Sequence, residues 1–143
     1  MKVIITENYE EMSRVAADIL IGIVKNNPKA VLGLATGSSP IGTYKNMAKD
    51  YRENGTSYKE VSSVNLDEYV GLTADHDQSY AYFMRKNLFE NIDIDLQNTN
   101  LPSGSAKDLQ KECDRYNALL ENYKQDVQLL GLGSNGHIGF NEP

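Results

Sequence analysis

The sequence predicts an α/β fold, a mostly parallel sheet with helices on both faces. Two observations predict it. Short, near-continuous apolar runs, AVLGLA at Ala30–Ala35 and VQLLGL at Val127–Leu132, alternate with longer stretches whose apolar residues recur every three or four positions. Runs that are apolar at nearly every position, rather than every second one, suit strands covered on both faces. That is the condition of a parallel sheet between helical layers.

Each element has its own reason. Lys2–Thr6 is a short β-rich run. Tyr9–Asn26 reads as a helix, with Met12, Val15, Ala16, Ile19, Leu20 and Ile23 on one apolar face. Asn8 and Glu11 form a capping pair, and Asn27-Pro28 ends the helix because proline pushes the residue before it out of helical geometry. Ala30–Ala35 is the next strand, and Thr36–Ser39 a polar turn. Pro40 suits the first helical position, with Ser39 as N-cap, in a helix running to about Arg52. Val61–Leu66 is the third strand. Ser79–Glu90 reads as a helix with Tyr80, Phe83, Met84 and Leu88 on one face; Leu109, Cys113, Tyr116 and Leu120 mark another near Lys107–Tyr123. Val127–Leu132 is the last strand. No repeat, low-complexity tract or linker divides the chain, so residues 1–143 are expected to belong to one domain. The Gly-rich loop Gly133–Pro143 comes where a covering helix usually follows. The expectation is therefore an N-terminal portion of a longer domain, with its C-terminal part missing.

Composition narrows the function. The chain has 143 residues, 40% of them hydrophobic, enough for a packed core. With 14 Lys plus Arg against 20 Asp plus Glu, its formal charge is −6. That balance argues against a broad nucleic-acid surface, which needs a basic face, but leaves room for a small anion held by a few local donors. No apolar run approaches membrane-spanning length, and the N-terminal MKVIITENYEEM is not a secretory signal. Cys113 stands alone, which excludes an internal disulfide framework and a cysteine-based zinc site. A soluble cytoplasmic protein is the simplest reading.

Three segments can carry chemistry. In Thr36-Gly37-Ser38-Ser39-Pro40, backbone amides, hydroxyls and a helix N-terminus could hold a phosphate; the plain alternative is an ordinary helix cap. It is not a Walker A loop, because the Gly-Lys-Ser/Thr ending is missing. In Asn65-Leu66-Asp67-Glu68-Tyr69-Val70-Gly71-Leu72, neighbouring strand residues point to opposite faces, so Asp67 and Glu68 do not form a dyad. One carboxylate in a crevice can move a carbon-bound proton if desolvation raises its pKa; the alternative is a solvated pair capping a loop. The third segment, Gly131 to Pro143 (GLGSNGHIGFNEP), begins as G-x-G-x-x-G. A dinucleotide site fits poorly, since HIGFNEP is poor helix material and the acidic ribose partner about 20 residues on has no place in the chain. His137 suits proton shuttling, a neighbouring carboxylate such as Glu142 can orient and stabilise its charged form, and Asn135 can help fix the site by hydrogen bonding. The alternative is a turn histidine. The other histidine, His76, lies in an Asp-rich loop and reads as solvated.

LDEYVGL at Leu66–Leu72 and GLGSNGHIGFNEP at Gly131–Pro143 together resemble the signatures of glucosamine-6-phosphate deaminases, and ATGSSPIGTY at Ala35–Tyr44 is similar to the family's phosphate-loop region. The order and spacing fit, and the resemblance covers the whole chain. It implies a Rossmann-like fold shared with ribose-5-phosphate isomerase, 6-phosphogluconolactonase and CoA-transferase relatives. It implies conversion of glucosamine 6-phosphate to fructose 6-phosphate and ammonia, in amino-sugar catabolism, with no metal or organic cofactor. By resemblance, His137 moves protons while the pyranose ring opens, with Glu142 and Asn135 as its partners. Asp67 takes the C2 proton and passes it toward C1. Thr36, Gly37, Ser38 and Ser39 fall in the phosphate-holding turn. Many relatives carry Asp where this chain has Asn135, which can position groups but supplies no negative charge; Glu142 is then the main carboxylate beside His137. The family's later segment supplies basic residues for the phosphate, so the chain alone is expected to show little turnover.

Other readings compete. A 6-phosphogluconolactonase-like enzyme would not need the DEYVGL carboxylate as a C2 base, and a non-enzymatic sugar-phosphate sensor would not need Asp67, His137 and Glu142 together. A galactosamine-6-phosphate isomerase stays open, as does a homo-oligomer. The expected partner is a small amino-sugar phosphate, with no nucleic acid and no membrane.

Overall fold

A computed structural model describes residues 1–143. Four helices and four strands follow in the order α1 (Tyr9–Asn26), β1 (Val31–Leu34), α2 (Ile41–Asn54), β2 (Ser62–Asn65), α3 (Tyr80–Asn87), β3 (Thr99–Asn100), α4 (Leu109–Asn122) and β4 (Val127–Gln128). Single 3-10 turns stand at Phe89–Asn91 and Leu96–Asn98. The strands form one sheet in the order β3-β2-β1-β4, and every pairing is parallel.

Helix ends follow local chemistry. The Asn8 side chain accepts from Glu11 N at 2.9 Å, and Asn27 closes α1 as expected. The Glu11 carboxylate reaches back to the Glu7 amide at 2.9 Å. Ser79 caps α3 through Tyr82 N, and Asp108 caps α4 through Lys111 N.

Strand order and handedness divide the helices between the two faces. From β1 through β2 to β3 the chain steps in one direction, and right-handed crossovers put α2 and α3 on one side. The return from β3 to β4 runs the other way and puts α4 on the opposite side. Ala17, Leu20, Ile21 and Val24 of α1, Tyr44 and Met47 of α2, and Met84 of α3 join Leu32 and Leu34 in one core. Burying each large apolar side chain contributes roughly 1.5–3 kcal/mol. Val64 and Tyr116 are buried outside that core, as alternation along β2 and the placement of α4 require.

Several expectations are corrected. The β-rich run Lys2–Thr6 joins no strand, and Val3 and Ile5 are exposed; strand propensity needs a partner to be realised. That run's place in the sheet is taken instead by β3, Thr99–Asn100, a short polar pair with no apolar signal. The last strand shortens to Val127–Gln128, though Leu129 N still donates to Gly33 O at 2.8 Å. Ser39 makes no cap bond. Pro40, with φ −79° and ψ −8°, takes the cap position, and its carbonyl accepts from Tyr44 N. The expected helix Ser79–Glu90 stops at Asn87. No helix is long and apolar enough to cross a membrane.

Candidate functional site

From β1 the chain moves outward to β2 and β3 and only then returns across the sheet to β4, so the strand order reverses between the neighbours β1 and β4. In an open α/β sheet such a reversal leaves a crevice at the carboxyl ends of the strands. A cavity of about 250 Å³ lies there. Its walls are Ala35–Ser39 after β1, Leu66 and Asp67 after β2, Tyr80 of α3, and Gly131–Gly133, His137 and Gly139 after β4. The three chemistry-bearing segments therefore share one space.

Two buried tyrosines fix where the chain leaves the sheet. Tyr44 Oη donates to Ala35 O at 2.5 Å and accepts from Ala35 N at 3.2 Å. Tyr116 Oη does the same at the end of β2, donating to Asn65 O at 2.7 Å and accepting from Asn65 N at 3.1 Å. Burial pushes both phenols up, Tyr116 to about 12, so each stays a neutral donor and acceptor. Asn65 Nδ2 donates to Leu34 O at 3.2 Å and ties the two strand ends together.

The turn after β1 carries donors without protein acceptors. Gly37 turns with φ +96°, and the amides of Gly37, Ser38 and Ser39 donate to no protein group. No lysine or arginine lines the cavity. What the turn offers an anion is amides, hydroxyls and the start of α2.

Asp67 is half-buried. Burial holds its carboxyl above the ordinary carboxylate range, the nearby Phe140 amide opposes this, and the negative charge of Glu68 adds to it. Glu68 faces elsewhere, as the pleat predicts. Its Oε1 accepts from Tyr69 N and Tyr80 N at 2.8 and 2.9 Å, and its Oε2 from Ala81 N at 2.9 Å. It closes the open amides at the start of α3, where a carboxylate also meets the favourable end of the helix dipole.

Asn135, His137 and Glu142 form a closed triangle. His137 N donates to Asn135 Oδ1 at 3.2 Å, which fixes the amide orientation, and Asn135 Nδ2 donates to Glu142. His137 Nδ1 lies 2.6 Å from Asn135 Oδ1 and 3.2 Å from Glu142 Oε1. Both neighbours are acceptors, so the proton belongs on Nδ1 and Nε2 is left free. The ring lies against Gly133, where an added Cβ would come within 2.2 Å of Cε1. Only glycine leaves room for this ring position.

Comparison with known proteins gives this geometry a family. Residues 6–139 match the family model described as glucosamine-6-phosphate isomerases/6-phosphogluconolactonase. The chain belongs to that family. It is 57% identical, over its whole length, to a glucosamine-6-phosphate deaminase of Geobacillus sp. (strain WCH70), and 54% identical to one of Clostridium perfringens (strain SM101 / Type A). It covers 57% and 60% of those two proteins. A solved monomeric glucosamine-6-phosphate deaminase superposes with a TM-score of 0.98 at 45% identity, covering all of this chain and 60% of that one. A 6-phosphogluconolactonase from Thermotoga maritima, at 20% identity and a TM-score of 0.75, shares the fold.

In this family member Thr36–Ser39, Asp67 and His137 line the cavity, while Asn135 and Glu142 stand behind the imidazole. His76 lies outside the cavity wall, with its Nδ1 accepting from Gln78 N at 3.1 Å. The GLGSNG stretch leads into turns and an Ile138–Asn141 bridge rather than a helix. The sequence reading treated Tyr80 as one of an apolar stripe, yet it lines the cavity, with its phenol pushed up to about 12 by burial and by Tyr69. Glu68 had no assigned role; the signal was its place 11 residues before Ser79, the cap of α3.

Proposed function

We propose that the site serves an amino-sugar phosphate deaminase that converts glucosamine 6-phosphate to fructose 6-phosphate and ammonia. The observation that carries this reading is one cavity holding a desolvated carboxylate, Asp67, and an imidazole, His137, whose Nε2 is free while Nδ1 is anchored. The names of the Geobacillus and Clostridium relatives support the same reaction.

In this reading the phosphate sits on the Thr36–Ser39 turn. His137 moves a proton between the ring and anomeric oxygens as the pyranose opens, and Glu142 with Asn135 steadies the charged imidazole. Asp67 removes the C2 proton of the open aldose and returns it to C1, while one proton of the C2 ammonium passes to O1, so that the C1 carbonyl becomes a hydroxyl. The raised pKa of Asp67 suits both of its steps, because a carboxyl that keeps its proton longer is the better base when ionised. The C2–N bond is left as an imine. Water adds at C2, ammonia leaves and the ketose phosphate remains, so the reaction consumes one water.

The test follows C2 deuterium of glucosamine 6-phosphate in water, alongside ammonia release, in the full-length protein and in its Asp67→Asn variant. Loss of C2 exchange in Asp67→Asn, by a factor of about 100 or more, with sugar-phosphate binding retained, supports Asp67 as the base. Equal exchange in both proteins removes Asp67 from that role. Galactosamine 6-phosphate in parallel separates the two substrate readings.

A further inference from the structure

The chemistry above leaves one hydroxyl next to the phosphate turn without a role. Tyr9 is the first residue of α1, far in sequence from residues 36–40. Its Oη lies 3.0 Å from Ser38 O and 3.1 Å from Ser39 O, and it accepts from Gly42 N at 2.8 Å. One phenolic proton is shared by two consecutive carbonyls, while the oxygen takes the amide of the first turn of α2.

Peptide geometry turns this contact into a statement about the cavity. The peptides are trans, so the C=O and N–H of one peptide unit point in opposite directions. Drawing the Ser38 carbonyl toward Tyr9 sends the Ser39 N–H the other way. Ser39 lines the cavity, and its amide has no protein acceptor. If that peptide flipped, a carbonyl oxygen would take the place of the donor and repel an anion.

The fold also makes room for the contact. A Cβ at Gly42 would come 2.2 Å from Ser13 Oγ and 3.0 Å from Tyr9 Cε1. Glycine at this position lets the first turns of α1 and α2 approach closely enough for the phenol to reach the loop. Ser13 is buried in that contact, and its hydroxyl has no partner.

We propose that Tyr9 is a positioning residue for the anion turn, holding the Ser38–Ser39 peptide with its N–H toward the ligand. The inference rests on the phosphate reading of Thr36–Ser39. Tyr9 touches no substrate; it acts through the backbone it holds.

The test is a titration of the ¹⁵N-labelled full-length protein with inorganic phosphate, following the amides of Gly37, Ser38 and Ser39. Tyr9→Phe keeps the ring and removes the hydroxyl. Its phosphate Kd should rise about tenfold, while hydrogen exchange at Leu32 and Leu34 stays at the wild-type rate. Gly42→Ala, which pushes the same contact apart from the other side, should raise Kd in the same direction. A wild-type response with an unchanged Kd in Tyr9→Phe overturns the positioning role and leaves the phosphate turn standing. Wild-type loop amides that do not respond to phosphate overturn both.

Discussion

The two halves of the cavity are held in different ways. The turn after β1 and the Asp67 segment after β2 begin at residues, Ala35 and Asn65, that are fixed by the buried hydroxyls of Tyr44 and Tyr116. The His137 loop leaves β4, a two-residue strand at the sheet edge, and is held largely by bonds within itself: Gly133 N to His137 O, Gly136 N to Gly133 O, and the Asn135–His137–Glu142 triangle. One half takes its geometry from the core. The other carries its geometry in its own thirteen residues, from Gly131 to Pro143. Substitutions in the two halves should therefore be felt in different places.

The largest effect belongs to the core-held half. Tyr44→Phe leaves the buried N–H and C=O of Ala35 without a partner, and unpaired buried groups of this kind cost about 1–3 kcal/mol. Urea denaturation should show that loss, and Tyr116→Phe should do the same at Asn65. Glu142→Gln, on an exposed side chain of the other half, should stay within about 0.5 kcal/mol of wild type. If Tyr44→Phe proves as mild as Glu142→Gln, the contrast between the halves is gone.

A change within the loop should have the opposite profile. In Gly133→Ala the new Cβ collides with the imidazole, and the ring must leave its bonds to Asn135 and Glu142. The His137 ring resonances should shift strongly while the urea midpoint moves little. A stability loss matching that of the tyrosine variants would mean that the loop is part of the core after all.

The same contrast explains what the sequence made legible. The loop's chemistry is local, so Asn135, His137 and Glu142 could be named together from one short segment. The helix α1 was readable to the residue because its signals, the Asn8 cap and the Asn27-Pro28 stop, are local too. The tyrosine anchors were not readable. Tyr116 reaches Asn65 across 51 residues, and nothing near either residue announces it. Thr99–Asn100 was missed for the same reason: a polar dipeptide becomes a strand only because β2 offers it a partner. Lys2–Thr6 failed the other way, with the composition of a strand and no partner among the paired strands.

The smallest effect lies where the halves meet, at Asp67. The Phe140 amide of the loop lies near this carboxylate and favours its charged form, and the Phe140 ring packs on Tyr69 and Tyr80 with centroids 5.1 and 5.5 Å away. Burial raises the folded pKa of Asp67, so the native chain keeps a proton over a pH window in which the unfolded chain has released it. Stability contributed by the protonated form is present below the ordinary carboxylate range and is lost as pH rises through the raised folded value. Asn carries no such proton. The stability of wild type relative to Asp67→Asn should therefore fall as pH rises from about 4, then level off once the carboxyl is ionised in both states. Asp67 is only half-buried, so solvent keeps the slope shallow. The reverse slope would mean that the pull of the nearby Phe140 amide outweighs desolvation. Phe140→Ala, which loosens the loop's aromatic contact with the core-held half, should let water reach Asp67 and flatten the slope. A slope unchanged in Phe140→Ala would mean that the core-held half alone desolvates the carboxylate, and that the loop contributes His137 but not the dryness of the site.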